Sequence, residues 1–352
     1  MSYAPAARWP AAWWWKFALP AVAIVAALAL FALRYPSWGI GGPDLRGIEE
    51  YKLPAGVAFP VAIAVAPDRS GVWFTLESSN RLGVLRPDGE FGFVRKEFES
   101  IEPLGLAIDG SGAAWFTEAP KRTIVRITLD GAFASFPLDT PVARLGRLAV
   151  GPDNTVWFAE ATRASVTQLN QSGQLIRHPV STASTTPSTA RAADGVPFGV
   201  AVAPDGTVWA TLQITDALLR IAPNGEKTLI EVPIRQAGLT DVAVAKDGAV
   251  WFLAAGANKI GRYAGGRFEE FAMPTPNAGL TALAVAPDGA AWFTALRAHK
   301  LGRVQHGVVT EFALPRANAR PIGIAVDADN TVWYADLAGW IGKLSAERAR
   351  AR

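Results

Sequence analysis

Cysteine is absent from the 352 residues. That excludes disulfides, thiolate metal ligands and a cysteine nucleophile, and it leaves the redox compartment undetermined. Histidine is scarce, at three residues. There is no H-E-x-x-H, no G-x-S-x-G and no phosphate-binding loop. Charge of one sign is not in excess, since 34 Lys and Arg stand against 31 Asp and Glu, a net of +3. The basic residues form no stripe, so the chain gives no support to nucleic-acid binding. Beyond residue 40 no helix-length amphipathic run occurs.

What is present is a repeat. Leu280–Thr294, LTALAVAPDGAAWFT, reads as a short apolar strand, a Pro-Asp-Gly turn and a second strand opened by Trp292. The same phrase recurs around Trp73, Trp115, Trp157, Trp209, Trp251 and Trp333, at steps of 42, 42, 52, 42, 41 and 41 residues. A fixed period near 40 is the mark of a repeat architecture. Each unit holds four strand-like pieces, termed a to d here, separated by turns rich in Gly, Asn, Asp and Pro. Four antiparallel strands in seven units predict an all-β chain, a seven-bladed β-propeller. The seven tryptophans, all in strand b, are expected in the core, where each would contribute roughly 4–6 kcal/mol at most.

The seventh unit, Pro321–Leu344, lacks a strand d. Its counterpart is at the other end of the chain, where Glu49–Pro54 (EEYKLP) resembles Glu269–Pro274 (EEFAMP). The propeller therefore spans 47–346, with strand 49–54 completing blade 7 and closing the ring. Residues 347–352 remain as a basic tail, expected to be a frayed, solvated end.

Residues 1–46 depart from the repeat. Phe17–Leu33 is an uncharged apolar run flanked by Trp13–Trp15 on one side and Tyr35 and Trp38 on the other. Such a run with aromatic flanks predicts one transmembrane signal-anchor helix over 17–37. Ala27-Leu28-Ala29 keeps a cleavable signal peptide open as the alternative. Residues 1–16 would then be cytoplasmic, 38–46 a linker, and the propeller extracytoplasmic, in the periplasm of a bacterium, by a weak positive-inside bias. The membrane is thus an expected partner through the N-terminal helix.

The recurring P-x-G-I-A-V-x-P-D-G-x-V-W-F-T-E … N-x-I-G-R … E-F-x-L-P, legible in Pro321–Asp336, Pro103–Glu118, Asn258–Arg262 and Glu311–Pro315, resembles the virginiamycin B lyase (streptogramin lyase) family of seven-bladed propellers. The resemblance covers about residues 49–344. It implies a carbon–oxygen lyase that opens a cyclic peptide ester by abstracting a proton beside a carbonyl. A His at the start of strand a would be the base, and Mg²⁺ held by carboxylates, one of them the Glu of W-F-x-E, the Lewis acid.

The site positions of that family can be checked here by spacing from each Trp. Eleven residues before it stand Ala62, Leu104, Gly146, Phe198, Thr240, Thr281 and Ile322, none of them His. Three after it, only Glu118, Glu160 and Asp336 are acidic. These three are the candidate ligands for a hard cation, Mg²⁺ or Ca²⁺; the competing reading pairs them with Lys121, Arg122, Arg144, Arg147 or Arg163. Arg147, Phe198, Arg320 and Ile322 are the candidate ligand-binding rim residues. His178, His299 and His306 read as ordinary turn or edge residues. The long segment 181–195 emerges on the same rim, as a lid or as a disordered insertion.

Two functions follow as expectations. One is a membrane-anchored module that binds a small molecule, peptide or protein partner at the propeller rim without the lyase base. The other is a metal-dependent lyase, or a lactonase-like enzyme, acting on a cyclic ester or peptide such as a streptogramin B antibiotic.

Overall fold

The computed structural model describes residues 47–350 except 58, 78, 80, 95–101, 119–120, 140–143 and 182–194. The apolar run 17–33, with the anchor predicted on it, and nearly all of segment 181–195 lie outside the described residues. Among the described residues no helix is long and apolar enough to cross a membrane.

Seven four-stranded antiparallel sheets make up the propeller. Six are consecutive in the chain, from Pro60–Phe93 for blade 1 to Leu280–Ala313 for blade 6. The seventh joins Pro321–Val326, Val332–Asp336 and Trp340–Leu344 to the N-terminal strand Ile48–Lys52, with Tyr51 opposite Ile341 and Lys52 opposite Trp340. Closure removes the free edges that an open array would leave.

The turn chemistry explains the blades locally. In the Pro287-Asp288-Gly289 turn, Asp288 Oδ1 accepts from Ala290 N at 3.0 Å, and Gly289 takes φ +86°. Strand b then runs through the interior, and all five of its residues are buried in blades 1 to 6.

The core is not one mass but seven, one at each blade interface. Trp73 packs with Ala114, Phe116 and Val125 of blade 2. Trp157 packs with Val200, Val208 and Leu219 of blade 4. Trp292 packs with Ile324, Val332 and Tyr334 of blade 7. Six of the tryptophans are buried, and Trp333 is half-buried between blades 7 and 1. Trp115 Nε1 donates to Asp109 Oδ2 at 2.9 Å and Trp333 Nε1 to Asp327 Oδ2 at 3.1 Å, each acceptor standing at the a–b turn of its own blade.

The basic tail differs from its expectation. Ala346–Arg350 form a short helix. Ala349 is buried in the interface of blades 6 and 7, its carbonyl accepts from Arg303 Nη1, and Arg348 lies over the Phe312 ring at 5.8 Å. Charge alone suggested a solvated end; the small Ala349 side chain and the aliphatic stem of Arg348 let it pack instead.

Candidate functional site

The site begins with an irregularity that all seven blades share. Strand a slips its register against strand b near its start, between Leu145 and Leu148, Pro197 and Val200, Leu239 and Val242, Leu280 and Leu283, and likewise in blades 1, 2 and 7. A bulge of this kind frees residues from the ladder and re-aims their side chains. The freed backbone is recaptured by a threonine two places after the Trp. Thr75, Thr211 and Thr294 accept from Ala62, Gly199 and Ala282 N through their hydroxyls at 2.8–3.0 Å. Those threonines stand two places after the Trp, in W-F-T for Thr75 and Thr294 and in W-A-T for Thr211, and are a signal present in the sequence.

In blades 1, 3 and 4 the slip releases two residues and the first of each pair faces a funnel, as do Leu104 of blade 2 and Ile322 of blade 7. Val61, Leu104, Gly146, Phe198 and Ile322, from blades 1, 2, 3, 4 and 7, line a cavity of about 430 Å³, joined by Leu145, Ala161, Val196 and Leu337. Three polar side chains share that wall: Glu77, Arg144 and Gln213. Two exposed apolar residues adjoin lining residues, one by a hydrogen bond and one in the chain. Phe59, whose carbonyl accepts from Glu77 N at 3.1 Å, sits in the left-handed region at φ 57°. Ile214 follows Gln213 in the chain. A bulky residue with positive φ is strained, and such strain collects at binding sites.

The second residue of the pair faces the axis. Arg147 Nε lies 3.0 Å from Asp241 Oδ1, and its Nη2 donates to the Thr281 carbonyl at 2.8 Å. One side chain from blade 3 thereby reaches blades 5 and 6. Asp241 also accepts from Val242 N at 3.0 Å and Leu283 N at 2.8 Å. Burial pushes its carboxyl up, against the pull of Arg147 and the two amides. Of the four predicted rim residues, then, Phe198 and Ile322 line the funnel. Arg147 serves the axis, and Arg320 is exposed, its backbone N–H donating to Asp336 Oδ2 at 2.9 Å.

The three predicted metal ligands are buried at the ends of their strands, and none lines the funnel. Glu118 Oε1 has Lys121 Nζ at 3.1 Å. Glu160 accepts from Arg177 Nε at 3.0 Å and from the Thr167 hydroxyl, with Arg163 Nε at 4.0 Å. Asp336 accepts from Arg316 Nη2 at 2.6 Å and Ala338 N at 2.7 Å. Among the described residues no three His, Asp or Glu side chains are grouped so as to hold a metal ion. Each carboxylate already has a cationic partner from its own blade or a neighbouring loop. As arranged, this donor set does not fit a resident Mg²⁺ or Ca²⁺.

All three histidines lie elsewhere. His178 is in strand d of blade 3 against Trp157, with ring centroids 5.1 Å apart, and burial depresses its pKa. His299 Nδ1 contacts the Ala319 carbonyl, and His306 sits in the c–d turn of blade 6.

A closed seven-bladed propeller with an apolar funnel on the rim where strand a begins defines a class of protein. Within that class the chain belongs to the virginiamycin B lyase family, whose model matches residues 40–195 and 188–349. The virginiamycin B lyase of Nocardia farcinica is 34% identical over 200 residues, an alignment that spans 56% of this chain and 64% of that relative. A streptogramin B lyase structure superposes with a TM-score of 0.76 at 26% identity, covering 85% of this chain and 97% of the other. A catalytically inactive variant of virginiamycin B lyase from Staphylococcus aureus, in a structure with quinupristin, gives a TM-score of 0.75 at 27% identity over 84% of this chain and 98% of that one.

Proposed function

We propose that this chain is a binding member of its family, in which the funnel holds an apolar, peptide-like ligand without opening it. One observation carries the reading. The resemblance implies an imidazole at the start of strand a; the seven residues at that position are Ala62, Leu104, Gly146, Phe198, Thr240, Thr281 and Ile322, and among the described residues none of the three histidines lines the funnel. A wall of Leu104, Phe198 and Ile322 supplies affinity by burial, at roughly 25 cal/mol per Å² of apolar surface removed from water, and offers no imidazole to take a proton. The absence of a ready carboxylate cluster supports the same reading.

The test is incubation of the full-length protein in detergent with quinupristin, with and without Mg²⁺, followed by mass spectrometry and calorimetry. Binding without linear product above the buffer control is the expected result. Linearisation that requires Mg²⁺ and is lost in Glu160→Gln would replace this reading with the second one, a metal-dependent lyase, which the 34% identity to a named lyase favours.

We further propose that the apolar run 17–33 tethers the propeller to a membrane and leaves it on the extracytoplasmic side. The uncharged run and its aromatic flanks support this. The full chain should stay with membranes through alkaline carbonate extraction and be open to protease added outside spheroplasts. Release by carbonate would overturn it.

A further inference from the structure

The funnel carries three polar side chains, and none of them has a partner among the described residues. Arg144 is held by its backbone, since its N–H donates to Thr162 Oγ1 at 3.0 Å and its carbonyl accepts from Ala161 N at 2.8 Å. Glu77 is held likewise through Phe59, and Gln213 donates its backbone N–H to the Val196 carbonyl at 3.0 Å. The side chains of Glu77, Arg144 and Gln213 make no hydrogen bond or ion pair among the described residues, and the two charged ones are exposed. This sets them apart from Glu118, Glu160 and Asp336, each of which is matched by a cation. An acid and a base therefore face one apolar cavity from blades 1 and 3, with Leu104 of blade 2 between them.

We propose that the funnel selects a short peptide with apolar side chains and both ends free, its carboxylate bound by Arg144 and its ammonium group by Glu77. A guanidinium on a fixed backbone binds a carboxylate through two parallel N–H···O bonds. A terminal amine suits a lone carboxylate in the same way. The cavity, at about 430 Å³, is of a size for a ligand of roughly three residues. Leu104, Phe198 and Ile322 in the wall receive its side chains. Gln213 offers a donor and an acceptor to a central amide.

The selection is as much against other ligands as for this one. An uncharged macrocycle seated over Arg144 and Glu77 leaves both charges without a partner and so binds more weakly than a peptide with both ends free. An acid without an amine satisfies Arg144 and is repelled by Glu77; a capped amine meets the reverse. Only a ligand with both charges matches the wall.

The inference rests on the funnel being the binding site, and the test separates the two. Full-length protein is titrated by calorimetry with Leu-Leu-Leu, with its N-acetyl derivative and with its C-terminal amide. Each cap should weaken binding at least tenfold. Glu77→Gln should erase the difference made by acetylation and leave that made by amidation; Arg144→Gln should do the opposite. Both positions are exposed, so the variants should melt within a few degrees of the parent. Ile322→Glu, in the wall, should abolish binding of all three peptides. Capped peptides that bind as tightly as the free one overturn the inference while the funnel stands as a binding site. So does the combination of no peptide binding with measurable quinupristin binding. Peptide binding that survives Ile322→Glu places the peptide elsewhere and also overturns it. If neither peptides nor quinupristin bind, the binding function itself fails.

Discussion

The Tyr334 hydroxyl donates to Glu50 Oε1 at 2.7 Å, across the full width of strand c in blade 7. The ring lies over Gly342, which is paired with Tyr334 on one side and Glu50 on the other. A Cβ at Gly342 would fall 2.1 Å from Tyr334 Cζ, so only glycine leaves this path open. Glu50 also receives Arg316 Nε at 2.9 Å and Nη2 at 3.0 Å. Burial and the Glu50 charge push the phenol pKa up and keep it a donor. The first strand of the propeller is thus tied to the last blade by side chains as well as by the ladder.

Tyr334→Phe tests that tie with packing preserved, because Phe74, Phe116, Phe158, Phe252 and Phe293 occupy the same place in other blades. Removing a hydrogen bond to a charged acceptor should lower unfolding free energy by about 1.5–3 kcal/mol in urea denaturation. Glu50→Gln with Tyr334→Phe should fall short of the sum of the single losses by more than about 0.5 kcal/mol. Strict additivity would show the two residues to be energetically independent.

Blades 5 and 4 solve one packing problem in two ways. In blade 5 the Phe252 ring lies over its strand partner Gly261, where an added Cβ would come within 2.0 Å of the ring. In blade 4 the corresponding pair is Ala210 and Leu219. Gly261→Leu alone should therefore destabilise by about 3 kcal/mol or prevent folding, by overpacking. Adding Phe252→Ala should restore much of that loss, since the volume moves from one strand to the other. A double variant no better than Gly261→Leu would count against this exchange.

Arg147→Met isolates the axial carboxylate of Asp241. Breaking a buried pair on one side costs about 3–5 kcal/mol, whereas replacing both partners by apolar residues is often close to neutral. Arg147→Met with Asp241→Leu should accordingly be more stable than Arg147→Met alone. Burial raises the Asp241 pKa above its unfolded value, so protonation favours the folded state. The deficit of Arg147→Met should grow as pH rises through the raised Asp241 pKa of the folded state and shrink below it, in denaturation curves taken across the acid range.

Asp109 gives the opposite sign. Burial works against its charge, but hydrogen bonds from Ser111, Trp115 and Arg126 hold its pKa down at about 2. A carboxyl depressed in the folded state contributes stability that is present above the unfolded pKa of about 3.9 and is lost as pH falls toward 2. At pH 7 the contribution is on the order of 2 kcal/mol. Asp109→Asn should lose about that much at neutral pH and show a flatter acid limb between pH 4 and 2. A parallel acid limb in the two proteins would show that other carboxylates carry it.

Much of this architecture is written locally. The Pro-Asp-Gly turns, the Trp that opens strand b and the period of 41 or 42 residues are short-range patterns, and turn geometry and strand alternation act at short range. They determine the strands, their antiparallel order and the blade count. Glu49–Pro54 could be matched to Glu269–Pro274 for the same reason: an outer strand resembles other outer strands. The funnel positions Phe198 and Ile322 followed because the repeat places every start of strand a at one rim.

The partners of the charged side chains could be read in this way only where they stand three residues on, as Lys121 does from Glu118 and Arg163 from Glu160. Glu160, Glu118 and Asp336 share a position in the repeat, yet each answers to a different cation, set by which loop passes its blade. Arg147 and Asp241 meet only because closure brings blade 3 opposite blade 5, and no property of either segment alone contains that distance. Strand identity is a matter of neighbours along the chain; the axial pair and the unmatched Glu77 and Arg144 of the funnel are matters of the closed ring, which exists only once all seven interfaces have formed.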